Sequence, residues 1–264
     1  MDKETKSGSS DVKSAARSLA ILEVLAEGKR PLTFMELHNI LGYPRSSLHA
    51  LLATLLDRQW LEMDDSDSRY SLGIRSYQVG QAYIHAVDIV KRARPYLEVV
   101  RDALNETVQL AVRDGRYNVY IDKVQSSQRL VLESDVGNRL EAHATGLGKV
   151  LLAGMTDDEL EKLFEGVALE QFTPNTIISF DQLRQELHEI RNKGYGIDRE
   201  EYTLGVSCVA APILNQYGKT IAAMSVSVPT VRYSLALQEK ASELLLQAAR
   251  DVSHALGSDY SRAS

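Results

Sequence analysis

The stretch Thr33-Phe34-Met35-Glu36-Leu37-His38-Asn39-Ile40-Leu41-Gly42-Tyr43-Pro44-Arg45-Ser46-Ser47-Leu48-His49-Ala50-Leu51-Leu52 carries two short helical patterns divided at a glycine. Thr33 and Glu36 have the spacing of a capping box, Leu37, Ile40 and Leu41 follow as an apolar stripe, and Gly42 ends the helix. Pro44 suits the first position of the next helix, in which Leu48, Leu51, Leu52 and Leu55 face inward while Arg45, Ser46, Ser47, His49 and Arg58 face out. Upstream, residues 12–28 set Val12, Ala15, Leu19, Leu22 and Leu25 at helical spacing and close on Gly28. A helix followed by two shorter ones across a tight turn is helix-turn-helix organisation, whose last helix enters the major groove of DNA. Residues 60–63 and 69–72 then read as two strands around the polar tip 64–68, the hairpin of a wing, complete by Gly73.

Working outward, residues 74–90 predict a linker helix with Ile74, Tyr77, Val79, Tyr83, Ile84 and Val87 as apolar positions able to pack on a partner. Beyond it, β-rich runs at 108–112, 117–124 and 130–133 predict an antiparallel meander, with Gly115 in the first turn. Helical patterns follow at 145–153, 157–164 and 180–193, then strands at 208–214 and 220–228 around a turn at 216–218, and a last helix at 235–256. The fold class is therefore α+β. It comprises a winged helix-turn-helix at 12–73, the linker helix at 74–90, and a domain of mainly antiparallel sheet at 91–258, between a tail at 1–11 expected to be disordered and a second tail at 259–264.

Composition narrows the function classes. With 264 residues, 44% hydrophobic and 25% charged, the chain is long enough for two domains with real cores. No apolar run reaches the length of a membrane span, and the charged, Ser-rich start has no signal-like apolar stretch, so the cytoplasm is the expected compartment. Cys208, the single cysteine, excludes an intrachain disulfide and a multi-thiolate zinc site, and the histidines lack metal-ligand spacing. No metal and no cofactor are expected. His143, Cys208 and Asp198 supply the residue types of a nucleophilic triad, but Cys208 lies within a strand-like run rather than at an exposed turn, so no catalytic residue is assigned.

The start of the third helix offers Arg45, Ser46, Ser47 and His49 as donors and acceptors for base edges or phosphates. Arg17 can reach phosphate from the first helix, and Arg69 can flank the minor groove from the wing. Residues 62–69 hold one Arg against four acids, so the wing tip repels DNA and the burden falls on the helix. Farther on, the helix starting near Thr145 presents unpartnered amides and the positive end of a dipole, which favour an anion. Alternate residues Ser225 and Ser227 share one strand face.

In its order of motifs the chain resembles the IclR family of bacterial regulators from about Ser14 to Gly257. One group is residues 14–22 (SAARSLAIL), Pro44-Arg45-Ser46-Ser47-Leu48 and Arg69-Tyr70-Ser71-Leu72-Gly73. The other is residues 143–149 (HATGLGK), 194–198 (GYGID), Glu200-Glu201, 205–212 (GVSCVAAP) and 222–227 (AAMSVS). The resemblance implies a GAF-like effector domain holding a small organic molecule, often a carboxylate, at the backbone of Gly146 and Leu147. Asp198, Val206, Cys208, Ser225 and Ser227 match the other pocket positions, with Leu130 and Leu132 as an apolar wall. The implied partners are operator DNA of inverted-repeat sequence, a second copy in a homodimer or dimer of dimers, and the effector. The reading set against it is a metabolite-binding oligomer without specific DNA recognition, motivated by the acidic wing.

Overall fold

The computed structural model describes residues 12–28, 30–64, 68–86, 89–130 and 135–257, and the chain divides into two compact units, Met1–Ala86 and Val87–Ser264. Both expected tails, the wing tip at 65–67 and Leu132 lie outside the described residues.

The first unit opens with α1 (Lys13–Glu27), β1 (Leu32–Thr33), α2 (Phe34–Leu41) and α3 (Arg45–Asp57). The strands β2 (Leu61–Asp64) and β3 (Arg69–Leu72) and the helix α4 (Ile74–Ala86) complete it. Thr33 and Glu36 form the reciprocal capping box, and Gly42 ends α2 at φ 65°, a left-handed conformation that glycine adopts without steric cost. Pro44 caps α3 rather than starting it, because its ψ of 136° is extended. Strand β1 was not foreseen: it pairs Leu32 with Tyr70 and adds a third strand, in the order β1-β3-β2.

Ile21, Leu25, Leu37, Leu48, Leu52 and Leu61 form the core of this unit. Here α1 departs from expectation. Its buried stripe runs through Ile21 and Leu25, whereas Val12 and Leu19 are 68% and 60% exposed. The helix has two apolar faces, and periodicity alone does not say which one meets the core. Ile40 of α2 is likewise exposed, while Leu37 takes the core position.

The second unit begins with α5 (Ile89–Leu104), so Ile89 and Val90 belong to a new helix rather than to the expected linker. Ile89, Ala93, Leu97 and Val100 are its buried stripe. There follow β4 (Thr107–Asp114), β5 (Tyr117–Val124), β6 (Arg139–Glu141), α6 (Gly146–Ala153), α7 (Asp157–Phe164) and α8 (Phe180–Lys193). The chain closes with β7 (Gly196–Arg199), β8 (Val206–Leu214), β9 (Thr220–Pro229) and α9 (Leu235–Ala255). Six strands join in the order β6-β5-β4-β9-β8-β7, antiparallel throughout. The strand expected at 130–133 is absent at Leu130, which is exposed, and 131–134 lie outside the described residues.

Period-two alternation gives the sheet two unlike faces. Val108, Leu110, Val209, Met224, Val226 and Val228 pack against Leu97, Val100, Leu245 and Val252 of α5 and α9. The opposite face carries Ala111, Ala210 and Ala223 beneath Leu147, Val150, Leu183 and Leu187 of α6 and α8. By the same alternation Gln109, Asp198, Cys208, Ser225 and Ser227 point to this second side. Such side chains are too small or too polar to fill the space to the helix layer, which is where a cavity opens.

Candidate functional site

That cavity measures ≈ 440 Å³. Its walls are Thr145, Gly146 and Leu147 at the start of α6, Asp198, Val206 and Cys208 from β7 and β8, and Ser225 and Ser227 from β9. Gly146, Leu147, Asp198, Val206, Cys208, Ser225 and Ser227, the positions nominated for the ligand apart from the leucine wall, come together here. Gln109, Tyr120, Asn138, Leu140, Tyr202 and Thr203 complete the lining and were not nominated; Leu130, expected as an apolar wall, is not part of it. A glutamine in the otherwise apolar run Val108–Val112 was the one local sign of Gln109.

The start of α6 is held by local chemistry. Thr145 caps it, its Oγ1 accepting the Gly148 N–H at 3.0 Å and donating to Asn118 Oδ1 at 2.7 Å. The Lys149 N–H goes to the Thr145 carbonyl at 2.9 Å. The amides of Gly146 and Leu147, which have no intrahelical acceptor, are left at the cavity wall. Gly146 has room for a side chain. A Cβ there would point at Asp198 and Cys208, at an ordinary 3.5 Å. Gly148 is the glycine that geometry demands, since its Cβ would lie 2.2 Å from Ala142 Cα.

On the sheet side, Ser225 Oγ and Ser227 Oγ both donate to Gln109 Oε1, at 3.1 and 2.7 Å, and Cys208 Sγ lies 3.2 Å from Ser227 Oγ. Asp198 Oδ1 accepts the Glu201 N–H at 2.7 Å. Behind it the wholly buried Lys149 ammonium meets Glu201 at 2.6 Å and Glu186 at 3.1 Å. Thr173 and Thr176 donate to the Glu200 and Glu201 carbonyls, so the loop bearing Tyr202 and Thr203 is pinned from two sides. Burial lifts the Asp198 carboxyl to about 7, against the pull of the Glu201 N–H and with a push from the Glu201 carboxylate. Burial likewise raises the Cys208 thiol and the Tyr120 phenol, and Asp198 adds to both. The walls are therefore uncharged near neutrality apart from Asp198, which sits at its midpoint.

His143, Cys208 and Asp198, all among the described residues, each bond to other partners rather than to one another as a triad. His143 pairs through Nε2 with the Glu170 carbonyl at 2.9 Å, while Cys208 contacts Ser227 and Asp198 is engaged by the Glu201 amide.

In the first unit, Arg45, Ser46 and His49 are exposed at the start of α3. Arg17 Nη1 donates to Ser47 Oγ at 3.2 Å, and its guanidinium lies 4.9 Å from the Tyr43 ring centre, so Arg17 is packed onto α3. Arg69 donates to the Pro31 carbonyl at 3.4 Å and lies 3.8 Å from Glu36, held against β1 and α2. Hydrogen bonds from Arg30 and Thr33 pull the Glu36 carboxyl down to about 2.

The sequence matches the IclR helix-turn-helix domain over residues 14–65 and the C-terminal domain of the bacterial transcriptional regulator IclR over residues 81–254. The HTH-type transcriptional regulator XynR of Escherichia coli K12 is 35% identical over 246 residues, covering 93% of this chain and 98% of XynR. The crystal structure of Thermotoga maritima IclR superposes with a TM-score of 0.75 at 28% identity, over 93% of this chain and 99% of that one. An IclR homolog from Microbacterium hydrocarbonoxydans, crystallised with 4-hydroxybenzoate, shares the fold with a TM-score of 0.82 at 24% identity, over 95% and 100% of the two chains. With both domain matches in the order the motifs predict, the chain belongs to the IclR family: it is a DNA-binding transcription regulator with a C-terminal effector-binding domain, and not an enzyme.

Proposed function

We propose that this protein binds an operator of inverted-repeat sequence as a symmetric dimer or dimer of dimers, in the cytoplasm, and that a small carboxylic acid in the cavity controls that binding. The observation that carries the effector reading is the pair of amides of Gly146 and Leu147 at a helix start, facing a wall of Gln109, Ser225 and Ser227. The helix end attracts the carboxylate and the polar wall meets the rest of the molecule. Asp198, Val206 and Cys208 close the site. Support for a small acid also comes from the homolog of the same fold that was crystallised with 4-hydroxybenzoate.

On the DNA side Arg45, Ser46 and His49 read bases from α3, Arg17 and Ser47 act as one unit against the phosphate backbone, and Arg69 adds a flanking contact. Exposed apolar side chains on α1 and α4, among them Leu19, Tyr77 and Val79, support a partner copy. Effector occupancy alters how the two DNA-binding units of a dimer are spaced. Fluorescence anisotropy with palindromic DNA from upstream of the gene, against a scrambled duplex at moderate salt, tests the recognition. The native chain is expected to prefer the palindrome, and the Arg45→Ala, Ser47→Ala double variant to lose that preference while keeping its oligomeric state. Equal affinity for both duplexes favours the alternative, a metabolite-binding oligomer without specific DNA recognition.

A further inference from the structure

The polar wall of the cavity has a sign. A serine hydroxyl owns one proton. Those of Ser225 and Ser227 are both spent on Gln109 Oε1, an oxygen with two lone pairs that takes both. With its own proton committed, Ser227 Oγ becomes the acceptor of its contact with Cys208, and the thiol S–H is the donor. What the two serines turn toward the cavity is therefore lone pairs only. Asp198 takes the Glu201 N–H on Oδ1, and its carboxyl gives or takes a hydrogen bond according to its protonation, so it imposes no sign. The hydroxyls of Tyr120, Tyr202 and Thr203 rotate to give or take a hydrogen bond and impose no sign. Fixed donors stand at the other end, at the backbone amides of Gly146 and Leu147, and in the side-chain NH2 groups of Asn138 and Gln109.

We infer that Gln109 is a specificity-determining residue: by holding both serine protons it makes the site select acids that carry a hydroxyl over acids of the same skeleton that carry a carbonyl there. A ligand hydroxyl donates into the serine lone pairs. A keto or aldehyde oxygen has no proton to offer and faces them with its own lone pairs, leaving buried acceptors unmatched. Gln109 itself need not touch the ligand. This inference rests on the carboxylate reading, and it deepens that reading from any small acid to a hydroxy acid.

The test is isothermal titration calorimetry of the full chain with matched pairs: lactate and pyruvate, 2-hydroxybutyrate and 2-oxobutyrate, 4-hydroxybenzoate and 4-formylbenzoate. In the pairs that bind, the hydroxyl member is expected to be at least about tenfold tighter. Gln109→Leu releases both serines to donate, so the ratio falls toward unity through a gain by the carbonyl member. The double variant Ser225→Ala, Ser227→Ala reaches the same ratio by the other route, weakening the hydroxyl member alone. A native ratio within about threefold, or a ratio unmoved by these variants, overturns the role of Gln109 while leaving the carboxylate reading in place. Failure of every acid to bind overturns both.

Discussion

At the scale of the residue, Asp198 and Lys149 set the electrostatics of the cavity. An acid whose folded pKa is raised, here from 3.8 to about 7, binds more protons folded than unfolded. Its contribution is fully favourable below the unfolded value and is lost as pH rises through the folded one. Asp198→Asn should therefore melt above the native chain at about pH 8, with the gap narrowing as the pH falls toward the unfolded value, since the amide oxygen keeps the Glu201 N–H. A gap of constant size in a thermal-melt series would sink this account. The same linkage governs ligands: a bound carboxylate raises Asp198 further, so affinity should fall as pH passes about 7, checked by titration across that range. Lys149 poses the opposite case, a cation with no exposure held between Glu201 and Glu186. Lys149→Met leaves Glu201 buried without its partner and should cost about 3–5 kcal/mol in urea unfolding, where a merely exposed pair would cost under about 1. Neither residue's environment was legible in the sequence. Lys149 stands in a motif resembling the family's, but its partners lie 37 and 52 residues away.

At the scale of the element, local rules were readable wherever the chemistry is local. The capping box of α2 was read from Thr33 and Glu36 and is present, and Thr33→Ala should cost about 1 kcal/mol by chemical denaturation. In Thr33→Ser the hydroxyl remains and most of that loss should be recovered. Elements whose definition depends on something distant were misread. For α1 the choice between two apolar faces is made by α2 and α3, not by the helix itself. Helix α5 went unseen because Pro95 stands inside it, where a proline in sequence ordinarily marks a helix boundary. At α6 the sequence motif marked Gly146, yet the packing demand falls on Gly148, pressed against Ala142. Gly148→Ala should destabilise the second unit and displace the start of α6, and a cavity-filling acid that raises the native melting temperature should lose that effect. Unchanged ligand protection in this variant would show that the position of α6 does not matter to the site.

At the scale of the whole molecule, a sheet with one large-residue face and one face of alanine, serine, cysteine and glutamine makes the cavity. The alternation that creates it was legible in the strands at 208–214 and 220–228. Which face would open was not, because both faces are covered by helices whose placement the strands alone do not give. The resemblance to the family supplied that missing choice, and apart from Leu130 and Leu132 the positions it nominated meet at one cavity, to which the structure adds Gln109. On the proposed function, occupancy of this cavity governs DNA binding. Its most direct test is the half-saturation of operator binding with and without an acid that raises the melting temperature, in the native chain and in Ser225→Ala, Ser227→Ala. A shift of about five- to 150-fold is predicted for the native chain, the range of ordinary allosteric coupling, and little or none for the variant. Equal half-saturation with the cavity filled and empty would contradict it.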